Sequence, residues 1–204
     1  MSLGEDIVAA RKFLGCVHSQ VANLLESLDT VMASHGLNPR SRNVSSGIGP
    51  QLNSDHWLVN YLYRFYSPNI AARVVGVVIY FDSWDEYGIK EPMCLAFAAS
   101  FSTPQKDDYY EDSTPVLAAL RDKQSISPVA DKDHRTFFPN ATSLLGCVIP
   151  LCELHTEHDL RTRIVDPLLE ALRKEAAARM NQLIGSWPGD ETDEEIDKAL
   201  EELS

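Results

Sequence analysis

The sequence predicts an α+β fold: a small, mainly antiparallel sheet of about three or more strands, covered by two long amphipathic helices, with an acidic C-terminal helix. Three observations carry this reading. Apolar residues keep 3-4 spacing through the first thirty or so positions and again in the last third of the chain. Between them the period changes to short, β-branched or alternating runs. The helical and extended segments are segregated rather than strictly alternating, which favours α+β over a doubly wound α/β sheet.

The first segment reads as a helix because Ile7, Ala10, Leu14, Val17, Val21, Leu24, Leu28 and Val31 fall on one stripe. Ser2 and Glu5 match a capping box, and Gly36 suits the residue after the last turn. Phe13, Leu25 and Met32 broaden the stripe, so a helix lying on a core is preferred to a strict coiled-coil seam. Such a helix would run ~45 Å, close to the diameter of a whole domain of this length. It must therefore span the body, bend, or project towards a partner. Residues 37–55 form a long connection rich in Ser, Asn, Gly and Pro. Trp57, Leu58, Tyr61, Leu62 and Phe65 then suggest a short aromatic helix from His56 to about Tyr66.

The run Ala72–Phe81, ARVVGVVIYF, is apolar throughout and reads as a strand covered on both faces. Pro92–Ser102 alternates. Met93, Leu95, Phe97 and Phe101 share one side, while Cys94, Ala96, Ala98 and Ser100 offer a small-residue side that lets a helix approach. The polar stretch DSWDEYGIKE joins the two as a hairpin. A third strand, Leu144–Cys152, contains Pro150, which donates no ladder hydrogen bond and so belongs at an edge or bulge. Between these strands Thr114 and Pro115 mark the start of a short helix reaching Asp122. Val165, Leu169, Leu172, Ala176, Met180 and Leu183 define the second long helix, kinked or restarted at Asp166-Pro167 and stopped by Gly185. Residues 1–188 are read as a single domain and residues 189–204 as an acidic helical tail.

Charge and composition narrow the function. The net charge is −12, and from Gly189 to Ser204 eight carboxylates accompany the single Lys198. No Lys/Arg-rich stripe is present, which argues against nucleic-acid binding through phosphate neutralisation. No apolar run approaches the ~20 residues that span a bilayer, and no basic region followed by an apolar stretch marks a signal peptide. The expectation is a cytoplasmic protein without membrane attachment. Cys16, Cys94, Cys147 and Cys152 form no CxxC pair and read as reduced thiols, the first three buried. No G-x-S-x-G, HExxH or P-loop occurs. The strand Ala96–Ser100 offers only small side chains where a magnesium-dependent nuclease would need an acid and a lysine. No cofactor is implied.

Two constellations remain. CELHTEHD, residues 152–159, brings Cys152, His155, His158 and Asp159 together in sequence as candidate metal ligands, with His134 as a further, distant candidate. A structural reading competes: Thr156 and Asp159 match a capping box at a strand-to-helix junction. The second constellation is acidic and aromatic. Trp84, Asp85, Glu86 and Tyr87 in one loop, and Tyr109 and Tyr110 in DDYYED, are candidate contacts for a basic protein partner, the aromatics anchoring and the carboxylates steering. The sequence thus points to a non-catalytic interaction or regulatory protein that self-associates into a homo-oligomer. The alternative is a metal-dependent enzyme or metal-binding module centred on Cys152–Asp159.

Overall fold

A computed structural model describes residues 3–40, 59–67, 72–103, 114–123 and 125–186, together with Lys198. In chain order it contains α1 (Leu3–Ser34), β1 (Asn38–Pro39), β2 (Tyr61–Ser67), β3 (Arg73–Tyr80), β4 (Met93–Phe101), α2 (Thr114–Leu120), β5 (Ser127–Pro128), α3 (Asp131–Phe137), β6 (Ala141–Pro150), α4 (Glu157–Leu160) and α5 (Asp166–Ser186). The strands form one six-stranded antiparallel sheet in the order β1-β2-β3-β4-β6-β5. The chain divides into two compact units, Met1–Leu168 and Leu169–Ser204, each described by itself. The sheet lies wholly in the first.

The centre of the sheet is set by one large side chain between two absent ones. Phe97 of β4 is paired on one side with Gly76 of β3 and on the other with Gly146 of β6. Its ring meets Phe65 at 5.6 Å, Phe137 at 5.0 Å and Phe138 at 5.3 Å between centroids. A Cβ added at Gly76 would sit 2.6 Å from the Arg64 carbonyl oxygen and 2.8 Å from the Phe65 ring. At Gly146 it would sit 2.8 Å from the Leu120 side chain. The glycines therefore make the space in which Phe97 meets Leu120, Phe137 and Phe138. This face, with Val78, Tyr80, Leu95 and Leu144, is one buried cluster covered by α2 and α3. β4 is buried from end to end, as its central position requires.

The opposite face carries Cys94, Ala96 and Ala98, all buried. Here α1 lies across the sheet. Leu28 and Met32 are fully buried, and Asp29 reaches β2. The Asp29 carboxylate accepts from Arg64 Nε at 2.9 Å, from Arg64 Nη2 at 2.5 Å and from the Tyr66 hydroxyl at 2.7 Å. Burial alone would raise the Asp29 pKa, but these hydrogen bonds and the Arg64 charge more than offset it and hold the carboxyl below its ordinary range. Burial and the Asp29 carboxylate push the Tyr66 phenol well above its usual value. The helix then ends in a Schellman motif. Gly36 takes φ 75°. Its N–H donates to Ala33 and the Leu37 N–H to Met32, at 3.0 and 3.1 Å. Leu37 is buried beneath that turn.

Four expectations need correction. The aromatic stretch expected as a helix is the strand β2 from Tyr61 onward, while His56, Trp57 and Leu58 lie outside the described residues. YLYRFYS satisfies both periods, because Tyr61, Leu62 and Phe65 keep helical spacing while Tyr61, Tyr63 and Phe65 recur every second residue. Pairing with β3 decides for the strand. The sheet has six strands where about three or more were expected: β2 was read as a helix, and β1 and β5 are two-residue pairings too short to show a period. The sheet is not covered by two long helices. The C-terminal half of α1, packed on α4, takes one face, and the short α2 and α3 take the other. Finally, Cys16 is exposed, not buried, because its part of α1 leaves the body. Near Pro167, Arg161–Val165 form one π turn in which the Asp166 N–H donates to the Arg161 carbonyl. A proline that lacks an N–H and crowds the preceding turn is accommodated by such a widening. The helix runs through Gly185 to Ser186. Ser2 and the proposed acidic tail lie outside the described residues, Lys198 excepted.

Gly76→Ala is expected to destabilise the protein by about 1–3 kcal/mol, as overpacking against fixed backbone does, measured as a lower denaturant midpoint. Asp29→Asn is expected to lose about 1–3 kcal/mol at neutral pH, towards the lower figure because the carboxylate is partly solvated. The folded carboxyl pKa is depressed, so its contribution is present above about pH 4 and lost as the pH falls through the folded value. In denaturation curves across that range, the variant should show a shallower loss of stability in acid than the parent.

Candidate functional site

The segment from Cys152 to Asp159 is folded by local hydrogen bonds. β6 ends at Pro150, and Leu151–Glu153 make a short turn in which the Leu154 N–H returns to the Leu151 carbonyl at 3.2 Å. Thr156 is the N-cap of α4, with φ −135° and ψ 162°. The Asp159 N–H donates to Thr156 Oγ1 at 3.1 Å. In return Asp159 Oδ2 accepts from the Thr156 N–H at 2.9 Å, the His155 N–H at 3.1 Å and the Thr156 hydroxyl at 2.8 Å. This is a complete capping box. The Thr156 hydroxyl, the two backbone N–H groups and the Arg163 charge hold the Asp159 carboxyl below its ordinary range.

The four sequence-adjacent candidate ligands are therefore assigned to different tasks. Asp159 is engaged by the cap. Cys152 is exposed, with Sγ 3.8 Å from Glu91 Oε2, and His155, just before the N-cap, and His158, in the first turn of α4, are exposed as well. His134 sits in α3, which packs on α2 and β6, with Nε2 3.6 Å from Asp131 Oδ1. Among the described residues no group of three or more His, Cys, Asp and Glu side chains is placed to hold a metal ion. Of the other thiols, Cys16 is exposed and Cys94 and Cys147 are secluded. Burial pushes Cys147 up to about 11 and raises Cys94 as well, which leaves both protonated and unreactive at neutral pH.

What the segment does form is one wall of a cleft. A cavity of about 620 Å³ lies between α1 and residues 151–160, with Val17, Val21 and Leu24 on the helix side and Glu91, Cys152 and His155 opposite. Its size is within the range of small-ligand pockets. The lining combines an apolar floor with two carboxylates, Glu91 and Glu157, and one thiol. The sequence carried no signal for this cleft, because Glu91 and Cys152 lie 61 positions apart and meet only through the pairing of β4 with β6.

The acidic-aromatic loop is ordered against the body. Trp84 and Ile89 exchange backbone hydrogen bonds of 2.8 and 3.1 Å. Trp84 stacks edge-on to Tyr80 at 4.9 Å, and Gly88 turns the chain with φ 69°. Arg121, at the end of α2, donates to the Tyr87 carbonyl. Trp84 and Tyr87 are thus half-buried supports, while Asp85 and Glu86 face solvent. Tyr109 and Tyr110 lie outside the described residues.

Among the described residues, five of the six large exposed apolar side chains lie on the first half of α1, which was not singled out as a site from the sequence. The stripe of α1 that is buried from Val21 to Met32 continues N-terminally into solvent. Ile7 is 60% exposed and Phe13 66% exposed, and Leu3, Val8 and Leu14 are exposed with them. Nearer the body, the His18 ring lies 5.6 Å from Phe81. Continuous 3-4 spacing was the signal, but spacing does not record where the body under a helix ends.

Thr156→Ala is expected to lower stability by about 1 kcal/mol without changing the far-UV circular dichroism of the native protein, as read in chemical denaturation.

Comparison with protein-family models, with curated proteins and with solved structures finds no match to this chain.

Proposed function

We propose that this chain is a cytosolic, non-catalytic interaction or regulatory protein that self-associates and presents an acidic loop to a basic partner. The observation that carries the reading is the bare apolar stripe on the first half of α1. Large apolar side chains recur at helical spacing over several turns and are exposed among the described residues. A contiguous exposed apolar face of that kind marks an interaction surface more often than a solvated one. Isolated helices of ~12–15 residues are marginal in water. A helix that continues past its own body in this way gains its remaining burial from another chain.

The loop around Trp84 supports the second half of the reading. Trp84 and Tyr87 are fixed by Tyr80 and Arg121, and so hold the Asp85 and Glu86 carboxylates at a defined place on the surface. Fixed carboxylates beside partly exposed aromatics suit a basic partner, the charges raising the association rate and the rings supplying contact area. Light scattering coupled to size-exclusion chromatography is expected to give a dimer or larger species. A strict monomer that also retains no basic protein on an affinity column would overturn the proposal.

A further inference from the structure

We propose that the cleft between α1 and residues 151–160 binds a small primary or secondary amine that carries an apolar body. The cleft lies within the first compact unit. Its occupancy is independent of self-association, so either reading can fail without the other. The volume of about 620 Å³ suits a small organic ligand. The floor is apolar: Val21, Leu154 and Leu160 are buried, with Val17 and Leu24 half-buried beside them. An apolar body laid on that floor leaves water, which favours binding.

The polar groups around the floor select the charge. Glu91 and Glu157 supply carboxylates, and Gln20 and Asn23 supply amide oxygens from α1. Both carboxylates stand on fixed backbone. The Leu151 N–H donates to the Pro92 carbonyl at 2.9 Å, which seats Glu91 beside Cys152, and the capping box sets Glu157 in the first turn of α4. Among the described residues no Lys or Arg lines the cleft, and neither Glu91 nor Glu157 has a salt bridge to one. An ammonium has only donors, so it matches a rim of acceptors. A quaternary ammonium has no N–H to give and is held over aromatic faces, and no Phe, Tyr or Trp lines the cleft among the described residues. An anion is disfavoured as well. The His155 and Thr156 N–H groups go to Asp159 Oδ2 and the Asp159 N–H goes to Thr156, so donors at the start of α4 are already engaged. Among the described residues no three potential ligands converge on a metal ion, which leaves an organic cation as the positive occupant. A lysine side chain of a partner offers the same ammonium without a body to fill the floor. Carboxylates alone, or an apolar floor alone, would select no ligand; one cavity holding both selects an amphipathic cation.

Cys152 lines the cleft and is exposed, so its alkylation reports occupancy. The test uses the full chain with Cys16→Ser, in which Cys94 and Cys147 are buried. Addition of iodoacetamide to Cys152 is followed by mass spectrometry against rising phenylbutylamine, phenylbutanol or phenylbutyrate. Saturable protection is expected from the amine and none from the acid. The alcohol should bind at least about fivefold more weakly than the amine, the equivalent of about 1 kcal/mol for a partly exposed charge pair. Glu91→Gln and Glu157→Gln should each weaken the amine by about the same factor and leave the alcohol unchanged. Asp133→Asn, on α3 across the sheet, should change neither. The constants are read from the concentration dependence of protection, so a change in the reactivity of the thiol itself does not enter. An amine that never protects Cys152 would overturn the proposal. So would equal binding of amine and alcohol, protection by the acid, or amine binding unchanged in both carboxamide variants. An acetyl-lysine amide that protects as tightly as phenylbutylamine would assign the cleft to a protein partner's side chain and overturn the small-molecule assignment.

Discussion

The packing of Phe97 between Gly76 and Gly146 is the constraint on which the rest of the molecule depends. A phenyl ring in the middle strand needs the volume that two neighbouring side chains would otherwise occupy. With both removed, Phe65, Phe137 and Phe138 close around it, and Leu120 reaches the sheet over Gly146. Protein interiors are close-packed, so this arrangement leaves little freedom in where α2 and α3 can sit. The same strand shows the opposite logic on its other side. Cys94, Ala96 and Ala98 are small and buried, on the side of the sheet where Asp29 of α1 reaches Arg64 of β2.

Because α1 is placed by that face, its course beyond the sheet is set as well. The Asp29–Arg64–Tyr66 contact anchors the helix over β2, and the Gly36 turn fixes where it ends. The sheet supports the helix only from about Val21 onward, whereas the hydrophobic pattern starts at Leu3. The mismatch between the length of the stripe and the length of its support is the physical basis of the proposed interaction role. It also accounts for Cys16, an exposed thiol in a helix otherwise patterned for burial. The cleft beside Cys152 lies where α1 leaves the sheet and meets the capped start of α4, so cleft and bare helix face adjoin each other at Val17.

Much of the local structure was legible in the residues. The alternation of β4, the β-branched run of β3, the hairpin between them, the Gly36 stop and the Thr156–Asp159 capping box each depend on interactions within a few positions. The same locality resolves the ambiguity at CELHTEHD, where two residues three apart satisfy each other and leave their neighbours pointing into solvent. The β2 strand was not legible. Tyr61, Leu62 and Phe65 fit a helix and Tyr61, Tyr63 and Phe65 a strand, and only hydrogen bonds to a strand across a turn settle the matter. β1 and β5 were invisible for a related reason: a two-residue pairing has no period.

The sequence alone determined which segments seek burial, which face of each is apolar, and where local caps and turns begin and end, because these follow from side-chain type and short-range hydrogen bonding. The tertiary structure decided everything that turns on distant residues meeting. It set Phe97 against its two glycines, brought Glu91 to Cys152, tied Trp84 to the core, and chose the point along α1 at which burial stops. Periodicity reports that a helix face wants cover. Only the finite size of the sheet determines how many of its turns the chain itself can cover, and how many are left for another molecule.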